Sequence, residues 1–434
     1  MALAPAATSA DNSTTLSGEG AHVDAPELRM FVMALFFIFG GITSLNDVII
    51  PKLKELFTLN YAQAMLVQSA FFAAYFIVSI PGAAIVKRVG YMRGAAIGLL
   101  TMMAGCLLFI PASASATFGV FLMALFVLAS GVTIVQVVSN PLISLLGVPS
   151  TAHSRLTFAQ AFNSLGTTIF PIAGSILILG SLAKVSAKDL TGAAFDAYRV
   201  AETQAVVHAY IGLAVALLVI AGVVWMNRHR LKGERHDGGS ILHSFDLLRR
   251  TRFGFGTACI FLYVGAEVSI GSLIVNYLKQ STVLGLDDQS AGKLISLYWG
   301  GALIGRFIGS AVLRTISPGK VLAFNAAGAI ALILLSANTS GHLAGYSLLA
   351  IGLMNSIMFP TIFSLASEGL GKRAADGSGV ICMAIVGGAI VPPLTGRLAD
   401  ASGSLAFALL LPAICYAIIA GFGIYARRPA PPLA

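Results

Sequence analysis

Windows of about 20 mainly apolar residues, the length an α-helix needs to cross a bilayer, recur along this chain from Met30 to Ala426. Twelve can be drawn, over residues 30–50, 62–86, 94–112, 118–146, 156–179, 204–226, 255–278, 291–313, 321–337, 343–366, 377–398 and 405–425, separated by short polar or glycine-rich breaks. Apolar and polar residues do not alternate over these lengths, so the spans are read as helices and not as strands of a barrel. With 57% hydrophobic and 10% charged residues, such a chain has no way to cover its apolar surface in water, and the lipid bilayer is its expected partner. The expected class is an all-α membrane protein.

The net charge of +9 lies in loops on alternate sides of the spans, so it is read as topology and not as a nucleic-acid surface. Lys87, Arg88 and Arg93 follow the second window, a run from Arg228 to Arg252 the sixth, and Arg314, Lys320, Lys372, Arg373, Arg427 and Arg428 the eighth, tenth and twelfth. By the positive-inside rule both termini are expected in the cytoplasm. The polar stretch from Asn227 to Arg252 divides the windows six and six. The expected domains are a disordered tail (1–28), a six-helix bundle (29–227), a cytoplasmic linker (228–253), a second six-helix bundle (254–426) and a short tail (427–434). Cys106, Cys259, Cys382 and Cys415 sit in apolar windows without metal-ligand spacing, and are read as packing residues; no cofactor or metal is indicated. No nucleotide-binding or nucleophile motif is present, which speaks against an enzyme.

The two halves share fragments of pattern. Asn140-Pro141 parallels Phe359-Pro360, and Gly166 with Pro171 parallels Gly387 with Pro392. Duplicated halves interrupted by glycine and proline at matching places are the pattern of alternating-access carriers, whose solute site needs helices that bend and rock. In the eighth window Gly301, Gly305 and Gly309 recur every fourth residue and are read as a packing stripe for a neighbouring helix.

Polar groups within apolar helices cost several kcal/mol unless they face a cavity or one another, so these carry the functional information. Thr43, Asn46 and Asp47 fall on one face of the first span; Thr133, Gln136 and Asn140 share a face of the fourth; Gln160, Asn163 and Thr167 share a face of the fifth. Three stripes of amides and hydroxyls are suited to a polyhydroxy ligand, while any single amide serves as readily to hold helices together. The other half offers Tyr263 and Glu267 in the seventh span, Tyr298 and Trp299 in the eighth, where an aromatic ring can stack on a sugar, and Asn355 in the tenth. Glu267 has no basic partner in its own window and is expected to be protonated or to face a solvated cavity.

Phe39-Gly-Gly-Ile-Thr-Ser-Leu-Asn-Asp-Val-Ile-Ile-Pro51, Gln68-Ser-Ala-Phe-Phe, Ser139-Asn-Pro141, His153-Ser-Arg-Leu-Thr-Phe-Ala-Gln-Ala-Phe-Asn-Ser-Leu-Gly166, Tyr263-Val-Gly-Ala-Glu267 and Phe359-Pro-Thr-Ile-Phe-Ser-Leu365 resemble the fucose permease and glucose/galactose transporter family of the major facilitator superfamily. The resemblance covers the chain apart from its tail and central loop. It implies the major facilitator fold, twelve transmembrane helices in two six-helix bundles, and a sugar symporter. The family's essential acidic residue in the first span falls on Asp47, and the amides of its fifth span on Gln160 and Asn163. Where the fucose permease has a second acidic residue in its fourth span this chain has Gln136, and where that permease has Gln after Tyr-Val-Gly-Ala this chain has Glu267. The Gly-Ala-Glu form resembles the glucose/galactose branch. The superfamily's loop motif is present only loosely, over residues 82–93 with Lys87 and Arg88 but no Asp, a departure from its usual gating charge pair.

The expectation is therefore a proton-coupled hexose carrier of the bacterial inner membrane, acting as a monomer. Asp47 and Glu267 are the candidates for proton coupling. Thr43, Asn46, Gln136, Asn140, Gln160, Asn163, Tyr263, Trp299 and Asn355 are the candidates for substrate binding. L-fucose or N-acetylglucosamine as substrate, Na⁺ as coupling ion, and a membrane sugar sensor that does not transport remain the alternatives.

Overall fold

A computed structural model describes residues 26–56, 61–115, 117–174, 192–231 and 241–429. The first six spans are α1 (Pro26–Leu56), α2 (Tyr61–Val89), α3 (Tyr91–Ser115), α4 (Phe118–Leu145), α5 (Ala152–Gly174) and α6 (Ala193–Met226). The next three are α7 (Thr251–Lys279), α8 (Asp288–Val312) and α9 (Pro318–Ala337). The last three are each built of two helices: α10 (Gly341–Asn355) with α11 (Met358–Ser367), α12 (Ala374–Met383) with α13 (Gly387–Ser402), and α14 (Leu405–Ala408) with α15 (Leu410–Tyr425). No strand occurs among the described residues.

Eleven of these spans are long and apolar enough, among the described residues, to cross a membrane. α5 is the remaining one, and it carries His153, Arg155, Gln160 and Asn163 within its 23 residues. The tail read over residues 1–28 lies outside the described residues up to residue 25, as does the end of the fifth window beyond residue 174.

The paired prolines behave differently, and one physical rule accounts for both. Proline has no N–H, so the carbonyl four residues before it loses its helical partner. Pro141 stays inside a continuous α4, and the carbonyl it frees, that of Val137, accepts the Ser378 hydroxyl of α12 at 2.8 Å. Pro360 stands beside a true break between α10 and α11, and the carbonyl it frees, that of Ser356, accepts Arg306 Nε of α8 at 3.2 Å. Each freed carbonyl is satisfied from another helix, as a membrane interior requires.

Glycine sets the close approaches. A Cβ on Gly166 would collide with the Phe37 carbonyl of α1, and one on Gly40 would collide with the Asn163 side chain, so α1 and α5 touch through bare backbone. The stripe of Gly301, Gly305 and Gly309 packs against Leu353, Ser356 and Ile357, which is the packing role expected of it.

The linker is more structured than a loop. Ile241–Arg249 forms a 3-10 helix that buries Leu247 and Ser244 against the rest of the chain. All four cysteines are buried and unpaired.

Candidate functional site

In the first six spans the amides converge. The Tyr75 hydroxyl of α2 donates to Gln136 Oε1 at 2.7 Å, and Gln160 Nε2 of α5 donates to Asn140 Oδ1 of α4 at 3.4 Å. Gln136, Asn140 and Gln160 are all buried, and Asn140 Nδ2 has no hydrogen-bond partner. A buried donor left unpaired costs about 1 to 3 kcal/mol, so this cluster has unused capacity for an acceptor oxygen. Asn163 is half-buried and donates to the Phe36 carbonyl at 3.3 Å, which ties it to α1. Thr43 and Thr133 spend their hydroxyls on carbonyls of their own helices, at 2.8 Å each, and so act as neutral filler on their faces. Asn46 and Asp47 belong to α1, but their side chains lie outside the described residues.

In the last six spans the polar groups form a hub around Asn355. Tyr416 donates to Asn355 Oδ1 at 2.7 Å, and Asn355 Nδ2 donates to the Tyr298 hydroxyl at 2.8 Å. The Tyr263 hydroxyl lies 2.8 Å from Glu267 Oε1 and 3.0 Å from the Asn355 carbonyl oxygen, one proton serving two acceptors. Asn355 and Tyr298 are fully buried. Both were candidates for touching the sugar, and the structure gives them another role: each is committed to protein partners, and together they hold the phenol that serves Glu267. Trp299 differs. It is 45% exposed, its indole lies over Gly271, and Gly271 is one helical turn from Glu267 on α7.

If Asn355 is a hub, Asn355→Ala strands two buried hydroxyls at about 1 to 3 kcal/mol each. The expected result is a thermal denaturation midpoint in detergent lower by several degrees, with sugar affinity in the surviving fold nearly unchanged. A large loss of affinity at unchanged stability would instead make Asn355 a ligand of the sugar.

Arg306 was not among the sequence candidates, and it corrects the reading of Glu267 as lacking a basic partner. Its guanidinium donates through Nη1 to the Gln160 carbonyl at 2.9 Å and to Ser164 Oγ, both on α5. Its positive charge acts on Glu267 across the site. The glycine stripe of the eighth span masked it: one cation among Gly301, Gly305 and Gly309 reads as an accident until its neighbours are known.

Further polar contacts join the two sets of spans towards the face that carries the basic loops. Lys87 of α2 pairs with Asp376 of α12 at 3.0 Å, and Asp376 also accepts the Ser244 hydroxyl of the linker helix at 2.9 Å. His153 Nδ1 and Ser364 Oγ share a hydrogen bond of 2.6 Å, and Ser154 donates to the Ser310 carbonyl at 2.6 Å. A charge pair thus exists at the loosely matched loop motif, with the cation on α2 and the carboxylate on α12. At the linker, Arg373 lies 2.7 Å from Asp246, and its hydrogen bond holds that carboxyl below the usual carboxylate range.

Residues 32–391 match the family model described as Major Facilitator Superfamily. The chain belongs to that superfamily. It is 51% identical over 394 residues to the glucose/galactose transporter of Brucella abortus, covering 91% of this chain and 92% of the relative. It is 33% identical over 435 residues to the L-fucose-proton symporter of Escherichia coli, covering 96% and 98%. The crystal structure of the major facilitator transporter FucP in the outward conformation matches with a TM-score of 0.85 at 32% identity, over 93% of this chain and 99% of that one.

Proposed function

We propose that the chain carries a hexose, glucose or galactose, across the membrane together with a proton. The observation that carries this reading is the cluster of uncharged amides with one unpaired buried donor, Asn140 Nδ2, beside Gln160. Neutral amides hydrogen-bond hydroxyls without demanding a charge from the solute, and a sugar supplies the missing acceptor oxygen. The likeness to a glucose/galactose transporter at 51% identity supports hexose, and the likeness to an L-fucose-proton symporter supports the proton as the coupling ion. Sugar binds between Gln136, Asn140, Gln160 and Asn163 on one side and Trp299 on the other, with Asp47 and Glu267 exchanging protons. The basic face is the cytoplasmic one by the charge rule, so the pairs at Lys87 and His153 close the cytoplasmic side.

Removing an amide that a ligand had satisfied leaves polar groups unpaired, so Gln160→Ala or Asn163→Ala is expected to weaken hexose binding roughly tenfold or more. Isothermal calorimetry on purified protein checks this. Unchanged affinity in both variants would make these amides packing groups.

A further inference from the structure

Glu267 and the α5 contact belong to opposite halves of the chain, yet a short line of bonds joins them. Glu267 Oε1 meets the Tyr263 hydroxyl, which also meets the Asn355 carbonyl at the end of α10. The next carbonyl along the chain, that of Ser356, is the one Pro360 frees, and Arg306 Nε takes it. The same guanidinium reaches across to α5, to the Gln160 carbonyl and Ser164 Oγ. Gln160 is also the residue whose side chain joins the amide cluster.

We propose that Arg306 is the positioning residue through which the charge state of Glu267 controls the contact between α8 and α5. The argument rests on the cost of an uncompensated charge. A guanidinium half-shielded from water in a membrane protein is tolerable while a carboxylate stands near it, and costs several kcal/mol more when that carboxylate becomes neutral. The titratable and charged groups around Glu267 are Tyr263 on its own helix, Tyr298 and Arg306 on α8, and Tyr416 on α15; Arg306 is the cation among them. When Glu267 takes a proton, Arg306 loses its counter-charge, and the arrangement that lowers its energy is one in which α8 parts from α5 and water reaches the guanidinium. Protonation in one half thereby loosens the closed face between the halves. Pro360 provides the acceptor that keeps the guanidinium pointed at α5 until then.

This inference rests on the transport reading for its meaning, but its test needs neither sugar nor transport. Ser150 and Thr315, exposed at the ends of α5 and α8, accept spin labels as Ser150→Cys and Thr315→Cys, the native cysteines being buried. Pulsed electron resonance then reads the distance between the helix ends. In the wild-type background Glu267→Gln is expected to raise the ratio of long to short distances roughly tenfold, within the usual range of coupling between two linked sites. In the Arg306→Gln or Arg306→Met background, either of which serves if the other folds poorly, Glu267→Gln is expected to change nothing further. Arg306→Lys should restore the response. A simple structural tie would give additive effects, so an equal response to Glu267→Gln with and without Arg306 overturns the proposal, as does no response at all in the wild-type background. Failure of hexose binding leaves this outcome unaffected, so the two readings fail separately.

Discussion

Asp47→Asn is expected to abolish accumulation of sugar against its gradient, bringing the inside-to-outside ratio to about unity, while exchange of sugar across the membrane continues. Asp47 is the only ionisable group on the polar face that it forms with Thr43 and Asn46 in α1. A carboxylate in an apolar helix is expensive as an anion and cheap as an acid, so its protonation is tied to whether the site faces water or is closed. Asparagine keeps the shape and part of the hydrogen bonding but has no proton to load or release. Counterflow of labelled hexose in vesicles separates the two effects. Full accumulation by the variant would remove Asp47 from the coupling mechanism.

Glu267→Gln is expected to lower accumulation far more than binding and to flatten the pH dependence of uptake. Relative to the fucose permease that the chain resembles, the second carboxylate has moved from the fourth span, where Gln136 now stands, to the seventh. Each half then holds one acidic group, Asp47 in α1 and Glu267 in α7, and the tie from Glu267 through Tyr263 and Arg306 gives the second a route to the contact between the halves. The double change Gln136→Glu with Glu267→Gln is expected to recover part of the accumulation, because the Tyr75 hydroxyl already donates to the side-chain oxygen at position 136 at 2.7 Å and would meet a carboxylate there equally well. Normal accumulation by Glu267→Gln with an unaltered pH profile would leave Asp47 as the sole proton carrier.

The spans were legible because a bilayer imposes one length and one composition on every crossing helix. α9 and α15 end within a residue of their windows at the second boundary, and α4 begins where its window begins. The windows said less about breaks. Phe359-Pro360 and Asn140-Pro141 look alike in sequence, but one marks an interrupted helix and the other a continuous one, since the outcome depends on which neighbouring helix supplies a donor to the freed carbonyl. The amides of α4 and α5 were legible as site candidates because helical spacing brings them to one face. Asn355 and Tyr298 were not separable from them by spacing. Their partners, Tyr416 and Tyr263, come from helices distant in the chain, and only those contacts turn a candidate ligand into a hub. Arg306 was missed for the same reason: nothing within α8 signals that it reaches the backbone of α5.

Uptake of labelled glucose and galactose into liposomes holding the purified protein tests the central claim most directly. With an imposed proton gradient, acid on the side from which sugar enters, the account predicts accumulation above the external concentration, collapse of that accumulation on adding a protonophore, and no comparable effect of a Na⁺ gradient at fixed pH. Accumulation driven by Na⁺ and indifferent to protonophore, or no movement of either hexose under any gradient, would contradict it.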